Sequence, residues 1–99
     1  MPVFLIADIA PSDMDKYQKS VFIDVVPDIA ARYQGKHLVR GPAMEVLEGD
    51  WKPQRLVVIE FPSMSQLLAF YNSEEYKPFK QLRQRTANSK IIAIEGMVP

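Results

Sequence analysis

The 99-residue chain contains no cysteine, a single histidine and a single tryptophan. The lack of cysteine excludes disulfides, thiolate chemistry and cysteine-ligated metals. Neither charge is in excess, because 12 Lys and Arg balance 12 Asp and Glu, so nothing draws the chain toward nucleic acid or an anionic membrane. No apolar run approaches the roughly 20 residues of a membrane span, and the N-terminus lacks the basic region of a signal peptide. A cytoplasmic protein is therefore expected.

Apolar sequence, by contrast, is sufficient for one domain. Hydrophobic residues make up 47% of the chain, which is ordinary for a globular protein and too high for disorder. A chain of this length buries only about 60–70% of its unfolded surface. We expect residues 1–99 to form a single domain with a modest core.

The hydrophobic pattern predicts four strands. They are expected at Val3–Ile9, at His37–Arg40 with a continuation over Met44–Glu48, at Arg55–Phe61 and at Lys90–Met97. Gly41-Pro42 interrupts the second strand and indicates a bulge and an edge position. Gly49–Pro53 reads as the turn of a hairpin between the second and third strands.

Amphipathic segments alternate with these strands. A helix is expected to begin at Ser12 and to end at Gly35 as its C-terminal cap, with Pro27 kinking or restarting it. Ser63 and Pro78 begin two shorter helical segments. The order β-α-β-β-α-β predicts an α+β, ferredoxin-like fold with a four-stranded antiparallel sheet.

Both faces of this sheet are predicted to be mostly apolar, whereas a sheet with one wet face would alternate. We assign Asp8, Glu60 and Glu95 to the face away from the helices, because positions under the helices exclude charge more strictly. A bare apolar face would exceed what monomers usually expose. A second copy of the chain, in a two-fold homodimer, is therefore expected to cover it.

Five motifs carry a resemblance to a known family: "LVRG" at Leu38–Gly41, "EVLEGDW" at Glu45–Trp51, "VVIEFPS" at Val57–Ser63, "FYNSEEY" at Phe70–Tyr76 and "EG" at Glu95-Gly96. The chain resembles an uncharacterised bacterial domain family of the dimeric α/β-barrel superfamily, which includes antibiotic-biosynthesis monooxygenase-like proteins, muconolactone isomerases and haem-handling relatives. The resemblance implies a homodimeric barrel and no particular reaction. Three positions depart from the family pattern: glycine is usual at Gln34 and at Pro42, and an aromatic residue is usual at His37.

Arg40 and His37 are the leading candidates for chemistry. The strand pattern puts Leu38 and Arg40 on one face and His37 on the other. Arg40, inside an apolar strand, either pairs with Glu60 or binds a carboxylate or enolate. His37 is either a general base or haem ligand, or a strand-start residue that replaces an aromatic.

The remaining candidates are acidic or aromatic. Asp8 and Glu60 each offer a general base, yet with Glu95 they lie too far apart along the strands for a three-carboxylate metal site. Trp51 either staples the hairpin turn to a neighbouring subunit or covers a ligand cleft. Tyr71 and Tyr76 either present a hydroxyl to that cleft or pack in the core. The basic run at Lys77, Lys80, Arg83, Arg85 and Lys90 reads as a solvated helix face.

Three functions stay open. The chain is a cofactor-independent oxygenase or isomerase acting on a small apolar or anionic organic molecule, a binding module without turnover, or a structural dimerisation domain. The enzyme and binding hypotheses require a hollow lined by Arg40 together with Asp8, Glu60 or Tyr71. No metal or cofactor is expected, and no glycine-rich phosphate loop or nucleophile elbow is present in the sequence.

Overall fold

A computed structural model describes residues 2–12, 25–41 and 43–97. In this part of the chain four strands and three helices follow one another as β1 (Val3–Pro11), α1 (Val26–Arg32), β2 (Lys36–Gly41), β3 (Arg55–Phe61), α2 (Met64–Tyr71), α3 (Lys77–Thr86) and β4 (Ala87–Glu95). The strands form one antiparallel sheet in the order β2-β3-β1-β4. The predicted ferredoxin-like α+β fold is confirmed, and β2 is an edge strand as predicted.

The core lies between the helices and one face of the sheet. The alternate residues of β1 from Val3 to Ile9 are buried there, and Val3 is only 2% exposed. Phe61 and Phe70 are fully buried with ring centroids 5.5 Å apart, and Tyr76 stacks on Phe70 at 4.6 Å. Aromatic burial of this size dominates the stability of a small core.

Helix starts follow the sequence signals where they are described. The Ser63 hydroxyl accepts the backbone N–H of Gln66 at 3.2 Å, so the predicted cap of α2 is formed. Pro27 lies in the first turn of α1, where its missing N–H costs nothing. The first half of the predicted helix, residues 13–24, lies outside the described residues. None of the described helices has the length and apolar character needed to cross a membrane.

The end of α1 differs from the prediction by one residue. Gln34, not Gly35, adopts the left-handed conformation, with a φ of 65°. Its N–H donates to the Ala31 carbonyl at 3.0 Å, while the Gly35 N–H donates to the Ala30 carbonyl at 2.8 Å. These two bonds form a Schellman cap. Gly35 is required for a different reason, because a Cβ there would lie 2.6 Å from the Phe61 ring.

Strand β2 contains a bulge that the sequence analysis placed too late. His37 pairs with Ile59 and Val39 with Val58, so Leu38 is an extra residue between them. The prediction that His37 and Arg40 lie on opposite faces is therefore wrong. Arg40 pairs with Val57, two residues from Ile59, and both side chains lie on the helix-covered face because strand positions alternate with a period of two.

The predicted continuation of β2 over Met44–Glu48 is also wrong. Residues 43–54 contain no strand in the described structure. Gly41 already pairs with Leu56, one residue from the start of β3. Beyond this pair β3 has only Arg55 left to offer as a partner, so the alternating pattern of Met44–Glu48 lies in an irregular loop.

The second face of the sheet is open and apolar as predicted. Ile92 and Ile94 on this face are 58% and 49% exposed, and they pair with Ile6 and Phe4 of β1. Glu95 was assigned to this face incorrectly, because it pairs with Val3, a buried residue of the helix-covered face. Its position at the end of edge strand β4 leaves the carboxylate exposed without a burial cost.

Candidate functional site

A cavity lies between the helices and the helix-covered face of the sheet. The space open to the centres of water molecules is about 60 Å³, several times what a single buried water needs. Its walls are mostly apolar side chains of β1, β3 and α2. Six polar or aromatic-polar residues also line it: His37, Arg40, Arg55, Tyr71, Tyr76 and Arg83. An apolar cavity with a few convergent polar groups is typical of a small-molecule site.

The bulge in β2 brings His37 and Arg40 together at this cavity. Both side chains line it, although they are three residues apart on a strand. Partial burial lowers the pKa of His37 below 6.5, and the positive charge of Arg40 lowers it further. The imidazole is therefore mainly neutral at pH 7, which is the state that accepts a proton.

Tyr71, the last residue of α2, and Tyr76, the residue just before α3, line the cavity. Their ring centroids are 6.1 Å apart, and the Lys80 ammonium lies 4.4 Å from the Tyr71 centroid. Burial raises the pKa of Tyr76, and the neighbouring Arg83 guanidinium opposes this rise through its charge and a hydrogen bond. The Tyr76 hydroxyl is thus a neutral group at physiological pH.

Arg55 and Arg83 are the two polar residues of this cavity that were not predicted as site residues, and Arg83 is the more deeply buried of the two. The basic run was interpreted as a solvated helix face, but Arg83 is only 3% exposed. A signal was available, because Tyr76, Phe79, Arg83 and Thr86 recur at spacings of three and four and form the inner stripe of α3. Within the described residues, Arg83 Nε and Nη2 are buried without a hydrogen-bond partner.

Three predicted site residues lie on the opposite side of the sheet. The Trp51 indole N–H donates to the Asp8 carboxylate at 2.8 Å, and the pair borders a shallow groove with Leu56 and Ile92. Glu60 pairs with Phe4 near the other end of β1. The sheet therefore divides the predicted set, with His37, Arg40, Tyr71 and Tyr76 on one side and Asp8, Glu60 and Trp51 on the other.

This register also corrects the predicted Arg40–Glu60 ion pair. Glu60 pairs with Lys36, whereas Arg40 pairs with Val57, so the two side chains lie on opposite faces. The separation of Asp8, Glu60 and Glu95 along the strands is as predicted. In residues 2–12, 25–41 and 43–97, no three His, Asp or Glu side chains are grouped closely enough to hold a metal ion.

The fold and this cavity define the chain as a ferredoxin-like α+β domain with a lined hollow under its helices. It belongs to the family described as a domain of unknown function, DUF1330, which matches residues 2–97. No curated protein matches the sequence significantly.

Solved structures of similar fold include proteins with and without a described activity. A dimeric ferredoxin-like protein of unknown function from Jannaschia sp. CCS1 superposes with a TM-score of 0.76 at 11% identity, covering 97% of this chain and 100% of the other. A protein of unknown function from Rhodopseudomonas palustris gives 0.73 at 17% identity, with 99% and 84% covered. SnoaB, a cofactor-independent oxygenase from Streptomyces nogalater, gives 0.70 at 12% identity, with 99% and 95% covered. At these identities the likeness establishes the fold.

Proposed function

We propose that the chain is a single homodimeric α/β-barrel domain in the cytoplasm that binds a small, partly anionic organic molecule in the cavity under its helices. The observation that carries this proposal is the bulge at Leu38, which aims a neutral imidazole and a guanidinium at the same apolar hollow. If the same sequence paired without the bulge, only one of these two side chains would point toward the cavity. Bulges of this kind re-aim side chains next to active sites in other proteins.

The pair is suited to removing a proton from a carbon next to a carbonyl. His37 Nδ1 or Nε2 would take the proton, and the electrons of the broken C–H bond would move to the carbonyl oxygen. Arg40, which is exposed in the single chain but lines the same cavity, would stabilise the resulting enolate through its positive charge. Returning the proton at another carbon makes an isomerase, whereas an oxygenase requires O₂ as co-substrate. This chemistry needs no cofactor, and the fold is shared with one cofactor-independent oxygenase.

The homodimer is supported by the second face of the sheet. Ile92, Ile94 and Val39 are exposed there, and a fold neighbour is described as dimeric. Trp51, held by Asp8 over the same face, is proposed to contact the second subunit. Native mass spectrometry at micromolar concentration should give twice the chain mass, and a monomer would contradict this part of the proposal.

Hydrogen–deuterium exchange of an enolisable probe tests the site itself. Phenylacetone in D₂O should lose its activated C–H signal faster with the protein than in buffer, as followed by proton NMR. His37→Gln and Arg40→Gln should each remove most of the acceleration. Glu60→Gln is the matched control, because this side chain lies on the opposite face, and it should keep full activity.

The outcome separates the hypotheses that remain. Binding of the probe without exchange would favour a binding module without turnover. Neither binding nor exchange, with a stable dimer, would favour a structural dimerisation domain. Equal loss in Glu60→Gln and His37→Gln would contradict the assignment of the site to the helix-covered face.

A further inference from the structure

The buried edge of Arg83 identifies a second binding feature in the same cavity. Arg83 is only 3% exposed. Neither its Nε nor its Nη2 has a hydrogen-bond partner among the described residues. These two nitrogens share one edge of the planar guanidinium. That edge is the fork that binds both oxygens of a carboxylate in parallel.

A structural role does not account for this arrangement. An arginine that is retained for stability has its donors on carbonyls or carboxylates, because a buried charge without such partners is strongly unfavourable. Arg83 acts on Tyr76 through its charge and a hydrogen bond, while Nε and Nη2 have no partner among the described residues. Groups held at a cost to stability are characteristic of functional sites.

A further unpartnered donor lies nearby. Ser89 of β4 pairs with Ile9, a residue of the cavity wall, and its buried hydroxyl also has no partner within the described chain. Arg83 and Ser89 border one depression, which shares Tyr71, Arg83 and Ile91 with the main cavity. Arg83 thus lies where the two hollows adjoin.

We propose that Arg83 Nε and Nη2 bind the carboxylate of the cavity ligand, with the Ser89 hydroxyl as an additional donor. The ligand is then a small carboxylic acid with an apolar body. One guanidinium edge and one hydroxyl match a planar monoanion, whereas a phosphate dianion would bring a second negative charge and a third oxygen. This inference rests on the proposed ligand site and specifies the class of its ligand.

The test compares three carboxylates of increasing apolar size with their amides: acetate, butyrate and benzoate against acetamide, butyramide and benzamide. Each pair differs in charge and little in shape. Affinity is measured by titration calorimetry and by the shift in melting temperature. For at least one pair, the native protein should bind the acid about 10-fold or more tightly than the amide, as expected for a charge-assisted bidentate contact.

Three variants assign this preference to the fork. Arg83→Met should remove it while retaining the melting temperature or raising it, because an uncompensated buried charge is deleted. Arg83→Lys keeps a charge without the fork and should lose most of the preference. Arg85→Met is the matched control, since Arg85 is exposed on the same helix, and it should behave as the native protein.

The possible failures are distinguishable. Equal binding of acid and amide to the native protein would overturn the role of Arg83 and leave the cavity as a ligand site. No binding of any probe would overturn both proposals. Full acid preference in Arg83→Lys would show that charge alone acts, which also overturns the fork. A large loss of stability in Arg83→Met would indicate a structural arginine.

Discussion

Gly35 and Gln34 should respond in opposite directions to small substitutions at the end of α1. A Cβ on Gly35 would lie 2.6 Å from Phe61 Cε1, 2.8 Å from Cζ and 3.0 Å from the Ala30 carbonyl oxygen. Phe61 is fully buried and packs on Phe70, so the ring cannot move away cheaply. Overpacking of this kind costs about 1–3 kcal/mol. Gly35→Ala should lie at the upper end of that range.

Gln34→Gly should stabilise the same cap. A non-glycine residue in the left-handed conformation costs roughly 1–2 kcal/mol, and glycine returns about 0.5–1 kcal/mol of this through its greater freedom in the unfolded chain. The net gain is about 0.5–1 kcal/mol. For a chain of 99 residues, each kcal/mol shifts the melting temperature by about 4–8 °C. Gln34→Gly should therefore melt a few degrees higher and Gly35→Ala at least about 10 °C lower.

The assay is thermal and urea unfolding followed by circular dichroism. All variants are compared at one protein concentration, because the melting temperature of a dimer depends on concentration. Gln34→Ala controls for loss of the glutamine side chain, and it should not be stabilised. A Gly35→Ala variant as stable as the native chain would refute the close approach to Phe61, and a destabilised Gln34→Gly would refute the Schellman cap.

Three further predictions follow from single contacts. The folded-state pKa of His37 lies below its unfolded value, so the unfolded chain takes up the proton first. Stability that is present above pH 6.5 should therefore fall as the pH drops below it. His37→Gln should flatten this slope in urea unfolding between pH 7.5 and 5.5, and an unchanged slope would contradict the burial of the imidazole. Phe70→Ala should cost about 3–5 kcal/mol, because Phe70 contacts the rings of Phe61 and Tyr76; a loss under about 1 kcal/mol would exclude this cluster as the centre of the core. Trp51→Phe removes the hydrogen bond from the exposed indole N–H to the Asp8 carboxylate. The change should cost less than about 1 kcal/mol in monomer stability. A larger effect is expected only on dimer dissociation, which analytical ultracentrifugation measures.

The strands of the core were predictable because several alternate residues in each strand point to the same face. In β1 the alternate residues from Val3 to Ile9 are buried, and the register with β3 follows from that one face. The bulge in β2 was not predictable in the same way. Leu38 and Val39 are each 46% exposed, so neither face of this edge strand selects a register through burial.

The sequence allowed us to predict which residue types belong to the candidate site, but not which of them lie together. Arg40 and His37 were identified as chemically unusual in an apolar strand, but their common face depends on one inserted residue. Arg83 was missed because its charge, and not its helical spacing, was used to interpret α3 as a solvated face. Its place in the stripe with Tyr76 and Thr86 would have been found if helical periodicity had been counted without regard to residue type.

The bulge also gives this site an unusual route for change. Because Leu38 is the single extra residue opposite β3, regular pairing of the same sequence would place Val39 opposite Val57 and Arg40 opposite Leu56, on the other face of the sheet. The guanidinium would then leave the cavity and enter the apolar surface proposed for the second subunit, while no cavity wall on β1 or β3 would change. Deleting Leu38 would instead leave Arg40 opposite Val57, so the bulge itself, and not the length of the strand, decides whether this charge lies at the ligand site or at the proposed subunit contact.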